Sequence, residues 1–260
     1  MNATTQTSEF RVPDIRPIGS EAPWRWLALG WSDLRRHPAL SLGYGLVFTL
    51  ICHGVLALLY TFNLLALAIP VAAAAVFAGP LLAVGLYELS RRIGAGEPVT
   101  LARIAFVKTG SPAQIAFIGV VLAFFALAWI RIATLLFALF FGASTQPLDQ
   151  MMKTLLLTFD GITFLVVGTA IGAALSLLAF SVSAISIPRL VEARTDAISA
   201  VATSVQAVRR NFWPMVLWAW LIGVLTAVGV ATLFAGFIVI FPLIGHATWH
   251  AYRALVAEGD

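Results

Sequence analysis

The sequence predicts an all-α polytopic membrane protein, a bundle of about six transmembrane helices. Three observations predict it. Of the 260 residues, 60% are hydrophobic and 11% charged, against about 25% charged in a soluble domain, and the mean hydropathy is +0.95. So few charges cannot cover the outside of a water-soluble fold. Residues 211–252 contain no Asp, Glu, Lys or Arg. That run is about twice the roughly 20 apolar residues one helix needs to cross a ~30 Å hydrocarbon core, so it reads as two helices joined by a reversal. Finally, a two-helix unit recurs. Arg35-Arg36-His37-Pro38 opens an apolar stretch that closes on Gly79-Pro80-Leu81-Leu82 and Arg91-Arg92, while Arg209-Arg210 opens one that passes Phe241-Pro242-Leu243-Ile244 and closes at Arg253.

Residues 1–22 lack the apolar core of a signal peptide and read as a disordered cytoplasmic tail. Residues 23–257 form the membrane domain. It opens with an amphipathic lead-in: Trp24, Leu27, Trp31 and Leu34 recur on one helical face, and Arg25, Ser32 and Arg36 on the other. Such a helix either lies among lipid headgroups or packs on the bundle. The expected spans are 39–60, 64–90, 113–141, 161–187, 212–232 and 234–253. Asn63 marks the first reversal, and Gly229 and Gly236 bracket the last. Pro70, Pro80 and Pro242 are expected kink positions, because each proline removes an amide donor and frees the carbonyl four residues earlier. Pro188 is expected to stop the fourth span. Between spans two and three, Thr100 is placed to cap a short helix that turns Leu101, Ile104 and Ala105 toward the membrane. A further interfacial helix is expected before Asp160, around Met151, Met152 and Leu155. Gly168, Gly172 and Ser176 form a stripe that lets two helices approach closely.

The basic residues fix an orientation. Fourteen of the sixteen Lys and Arg flank the spans on one side; Lys153 lies on the other and Arg131 within a span. By the positive-inside rule both termini and the two long basic connectors are expected to be cytoplasmic. The lipid bilayer is the expected partner, with anionic headgroups at the cytoplasmic face as candidates; no nucleic acid partner is expected.

Catalytic signatures are missing: there is no Ser-His-Asp, CxxC, P-loop or GxGxxG arrangement, and no catalytic residue, metal site or cofactor is expected. Cys52 is the single cysteine. The candidate polar positions are Arg131, Asp160, Glu88, His250, His246 and His53. His246 and His250, four apart, share a helix face in a spacing able to chelate a metal, but without the Glu of a zinc-protease motif. An intramembrane charge such as Arg131 is a functional candidate by default, or it snorkels to the outer interface, where Asp160 is its expected partner. Aligning Pro80 with Pro242 sets Glu88 opposite His250, an expected pair across a pseudo-twofold axis.

The run FPLIGHATWHAYRALV (241–256), with SIPRLVEARTDAISAVATSVQAVRRN (186–211), resembles an uncharacterised family of proteobacterial integral membrane proteins, domain of unknown function 2189. The resemblance implies an inner-membrane location but no reaction. Members are sometimes labelled cytochrome c oxidase subunit I; that enzyme needs six histidines for its metals, and this chain has four. Two readings of function follow, a structural, assembly or helper role and a small-solute channel or transporter, with an oxidase-associated redox role third. A channel predicts that Arg131, His53, Asn63 and the kinks line one cavity. A helper predicts apolar outer surfaces and no continuous polar path.

Overall fold

The structure, a computed structural model, describes residues 13–109, 111–142 and 148–257. Among these residues the regular structure is helical, and the sole β contact is an isolated antiparallel bridge between Ile15 and Val256. Helix α1 (Ala22–Arg36) ends at His37, because the residue before Pro38 is disfavoured from the helical region, and α2 (Pro38–Thr61) starts at that proline. The reversal after α2 places Asn63 at φ 57°, the left-handed conformation that Asn tolerates. A 3-10 turn (Leu65–Leu67) then leads into α3 (Ala68–Leu82) and α4 (Val84–Ala95). Next come the single-turn α5 (Leu101–Ala105), α6 (Pro112–Phe141), α7 (Leu148–Leu157), α8 (Phe159–Ser183) and α9 (Ser186–Glu192). The chain closes with α10 (Ala197–Arg210), α11 (Phe212–Ala231) and α12 (Phe237–Leu255).

Among the described residues, five segments are long and apolar enough to cross a membrane: Pro38–Thr61, Pro70–Ala95, Pro112–Phe141, Phe159–Glu192 and Phe212–Ala231. At 30 residues α6 is about 45 Å long, longer than the hydrocarbon core is thick. Helix α12, the sixth expected span, turns back from α11 but falls short of the same apolar character. Its second half, GHATWHAYR, is polar because it is buried in protein rather than in lipid.

Helix α12 is the hub, packed against α1, α2, α4, α9 and α11, while α3, α6 and α8 form a second group with α7 on the end of α8. Close approach to the hub depends on missing side chains. A Cβ on Gly30 of α1 would stand 2.8 Å from the Ala247 amide nitrogen, and one on Gly45 of α2 would collide with the Ile238 carbonyl. Small residues Ser41, Gly45 and Thr49, four apart, form the buried edge of α2. Aromatic rings then fill the seam: Phe48 stacks on Phe241 at 3.8 Å and meets Phe237 edge-on.

Several expectations are corrected. The tail is ordered at least from Asp14. Arg16 donates to the Leu255 carbonyl, Ala257 donates to that of Asp14, and the Asn211 side chain accepts from Ile18 and donates to Arg16. Apolar Ile15, only 3% exposed, supplies the packing; residues 1–12 lie outside the described residues. The buried face of α1 carries Trp26, Gly30, Asp33 and Leu34 against α12, whereas Trp24 and Trp31 are exposed. Pro70 sits in the first turn of α3, where no intrahelical bond exists for it to break. Pro80 lies inside α3, and three residues on the helix gives way to α4 at Ala83; the Leu82 carbonyl accepts from the Tyr44 hydroxyl at 2.7 Å. Pro242 lies inside a continuous α12. Pro188 does not end a helix. The break falls at Ala184–Ile185, because the proline ring crowds the carbonyl four residues back, and the freed Ile185 amide donates to Ser204. At the last reversal the left-handed residues are Leu233 and Phe234, not the glycines. Gly229 is there to make room, since a Cβ would meet the Phe237 ring. Thr100 makes no side-chain cap, and of its short helix only Ile104 is buried. Of the glycine stripe, Gly172 faces Trp129 of α6 and Gly168 faces open space.

Candidate functional site

The same packing that makes α12 the hub brings five polar side chains to one point inside it. Gly30 sets α1 so close that Asp33, one turn further on, reaches His250 of α12; His250 Nε2 donates to Asp33 Oδ2 at 2.8 Å. Ser90 of α4 donates to that same oxygen at 2.8 Å and stands 2.7 Å from His246 Nδ1. On the other side of the imidazole, Ser41 in the first turn of α2 lies 3.0 Å from His246 Nε2. With the His246 proton on Nδ1 every group is satisfied: Ser41 donates to Nε2, Nδ1–H donates to Ser90, and Ser90 donates to Asp33. The chain Ser41–His246–Ser90–Asp33–His250 thus ties α1, α2, α4 and α12 together. Ser41 and His246 have no exposed surface, Ser90 1% and Asp33 4%.

Burial alone would raise the Asp33 pKa. The hydrogen bonds from His250 and Ser90, and the nearby histidines, outweigh it and hold the carboxyl below its ordinary 3.8. Asp33 is therefore an ionised acceptor at neutral pH. The arrangement has the partners of a Ser–His–acid relay, but its serines are sealed, so no substrate reaches them. What it does is fix four helices in one register, since a buried polar chain tolerates only the packing that satisfies all of it.

The expected Glu88–His250 pair does not form, although α4 and α12 are neighbours as the repeat implied. Glu88 is held instead by its own helix: Arg91 Nε lies 2.7 Å from Oε2, and Arg92 Nε 2.6 Å from Oε1. Both arginines also reach Glu97, closing a four-charge ring at the end of α4. Glu88 and His250 lie at matching depth in their helices, but α1 brings a closer carboxylate, Asp33, to His250. Arg131 and Asp160 do not pair either. The antiparallel α6 and α8 set Trp129 against Gly172 and Phe140 against Phe164, so Asp160 lies level with the end of α6, roughly 16 Å beyond Arg131. Both side chains are exposed, and Asp160 sits in the first turn of α8, where a carboxylate suits the helix dipole. His53 Nδ1 is bonded to the Thr49 carbonyl one turn back at 2.9 Å, and its ring meets Phe234 edge-on.

Asp33, Ser41 and Ser90 escaped the sequence reading. So did Arg189, which is buried and donates to the Ser199 carbonyl and to Thr203. One signal was available: Ser41, Gly45 and Thr49 are small and four apart.

Deeper in the bundle lies a cavity of about 240 Å³. Its wall is apolar, built from α2, α3, α8, α11 and α12, and Ile51, Val55 and Val76 at its edge are exposed on the outer surface. Arg131, His53 and Asn63 are not in that wall, and of the kink prolines only Pro80 is.

Among the described residues, a helical bundle with five segments long and apolar enough to cross a membrane, a buried polar node and apolar outer faces defines the class as an integral membrane protein. Residues 68–192, from the start of α3 to the end of α9, match the family described as predicted integral membrane protein (DUF2189), which is the family expected. The match takes in residues 186–192 of the recognised segments, and the 241–256 run lies beyond it. No curated protein and no solved structure matches the chain.

Proposed function

We propose that this protein is a membrane-embedded helper or assembly factor that works within the lipid phase, not a conduit for polar solutes and not an enzyme. One observation carries the reading: the large cavity is walled by apolar side chains, and the polar groups a solute path would use lie elsewhere. Exposed Leu127, Leu135 and Leu139 on α6, with Ile162 and Val166 on α8, offer the apolar faces such a role requires. The distribution of Lys and Arg supports six crossings with both termini on the cytoplasmic face of a bacterial inner membrane. Basic residues at that face are suited to anionic headgroups.

Proteoliposomes loaded with small ions and neutral polar solutes test this. The expected result is leakage no faster than from protein-free vesicles. Protein-dependent flux that falls in Arg131→Ala or His53→Ala would replace the helper by a channel. Reporter fusions after Arg92, Arg210 and Ala257 are expected on the cytoplasmic side, and a fusion at Gln150 on the opposite one; a periplasmic Arg210 would overturn the six-crossing arrangement.

A further inference from the structure

Helix α6 carries a charge on the side of the molecule where lipid stands. Trp129 points inward: its Nε1–H donates to the Pro70 carbonyl at 3.2 Å, and its ring meets Gly172. Two residues further on, about 200° around the helix, Arg131 points out and is exposed. Among the described residues nothing forms an ion pair or hydrogen bond with its side chain. Phe124, Leu127, Leu135 and Leu139 share its stripe at spacings of three and four, and are 60% to 79% exposed. The arginine thus has outward-facing apolar residues on both sides of it. Leu139 is eight residues nearer the far end of α6, about 12 Å along the axis. Exposed Ile162 and Val166 of α8 run beside that stretch, where Phe164 meets Phe140. Lifting Arg131 to the headgroups would leave all of these in water, so the hydrocarbon layer extends past it. An intramembrane charge normally faces the bundle interior and is paired there, because hydrocarbon cannot solvate it. Here the inner sides of α6 are already packed by α3 and α8, and the pairing group has to come from outside the chain.

We propose that this face of α6 docks a transmembrane helix of another protein, and that the helix carries an Asp or Glu at the depth of Arg131. A carboxylate answers a guanidinium with two parallel hydrogen bonds, and the leucines on either side pack on the apolar remainder of the helix. A second copy of this chain is the wrong occupant. A twofold axis through this face would bring Arg131 to Arg131, and Asp160 lies roughly 16 Å beyond it. The proposal rests on the reading of a lipid-phase assembly role and names the chemistry of its partner.

The test uses the full chain in phosphatidylcholine vesicles with two synthetic leucine-rich transmembrane helices, identical except for a central Glu or Gln. Energy transfer between a dye at the C-terminus of the chain and one on the helix reads association. The wild type is expected to bind the Glu helix about five- to thirtyfold more tightly than the Gln helix, the range for a polar contact between membrane helices. Arg131→Gln is expected to bind both alike, and Arg131→Glu to prefer a helix with a central Lys. Equal binding of the Glu and Gln helices by the wild type, or a Glu preference that survives Arg131→Gln, would overturn the proposal. So would phosphatidylglycerol gathering around the wild type but not Arg131→Gln while neither helix is preferred, since that assigns the arginine to headgroups. Cross-linking in a Cys52→Ser background locates the contact: a cysteine beside the Glu of the helix is expected to capture Leu127→Cys and not Ile51→Cys, and the reverse pattern sinks the idea. Should the Arg131 variants not fold, the wild-type preference and this cross-link decide together. Solute leakage is read independently: flux that depends on Arg131 removes the helper reading, whereas equal binding in tight vesicles removes the docking face alone.

Discussion

Helices α6 and α12 invert the rule learned from water-soluble proteins. Of the thirty residues of α6, one of the most apolar helices in the molecule, only Ile118, Leu122 and Ala133 are buried. Of the nineteen residues of α12, which carries two histidines, a threonine and an arginine, eleven are buried. In a bilayer the apolar surface needs no cover, so the protein interior goes to the groups lipid cannot satisfy. Hydropathy here reports contact with lipid, and polarity on a long helix reports the core.

That contrast can be broken, first and most severely, at the α2–α12 seam. Gly45→Leu would drive a side chain into the Ile238 backbone, which cannot yield as a flexible side chain can, and is expected to abolish folded protein in size-exclusion chromatography. Next in size is Asp33→Ala. It strands His250 and Ser90 and is expected to cost about 3 kcal/mol, the low end for a broken buried pair because His250 is 22% exposed. Urea or thermal unfolding in detergent measures it. The double variant with His250→Ala is expected to lose less than the sum of the two; strict additivity would show that the pair is not coupled.

Acid gives a smaller and reversible effect. Because the folded Asp33 pKa lies below 3.8, its ionised form adds stability that is complete above that value and is lost as pH falls through the lower, folded one. The wild type is therefore expected to lose melting temperature below about pH 4, on the order of that 3.8 reference, more steeply than Asp33→Asn does. Smallest of all is Leu135→Ala on α6, 68% exposed, expected within about 0.5 kcal/mol of wild type because lipid tails replace whatever contact is lost. A loss as large as that of Asp33→Ala would mean that this face is covered by protein.

How much of this was legible follows the same line. The helices of the membrane region, the reversal at Asn63 and the recurring unit are written in apolar runs and in Arg-Arg boundaries, which are local. The recurrence is visible in the fold as well: α1 and α10, both amphipathic and ending in Arg-Arg, each lead through one non-helical residue, His37 or Asn211, into a long apolar helix. The node was not legible, because Asp33 sits in WSDLRR and Ser90 in ELSRR, where a polar residue looks ordinary. Only the face of α1 that meets α12 makes Asp33 internal, and Gly30 and Trp26 lie on that face while Trp24 and Trp31 do not. The Arg131–Asp160 pairing failed for a related reason: counting rise along one helix gives depth in that helix but not the offset between neighbours, which Trp129 against Gly172 sets.

The length of α6 carries one more consequence. A rod of about 45 Å set in a ~30 Å hydrocarbon layer is mismatched with its surroundings, and tilt, protrusion or a locally thicker bilayer must absorb the excess. Each remedy depends on acyl-chain length and sterol or headgroup content. The free energy of placing this protein in a membrane therefore varies with the thickness of that membrane, and a bilayer of mixed composition would sort it toward its thicker regions.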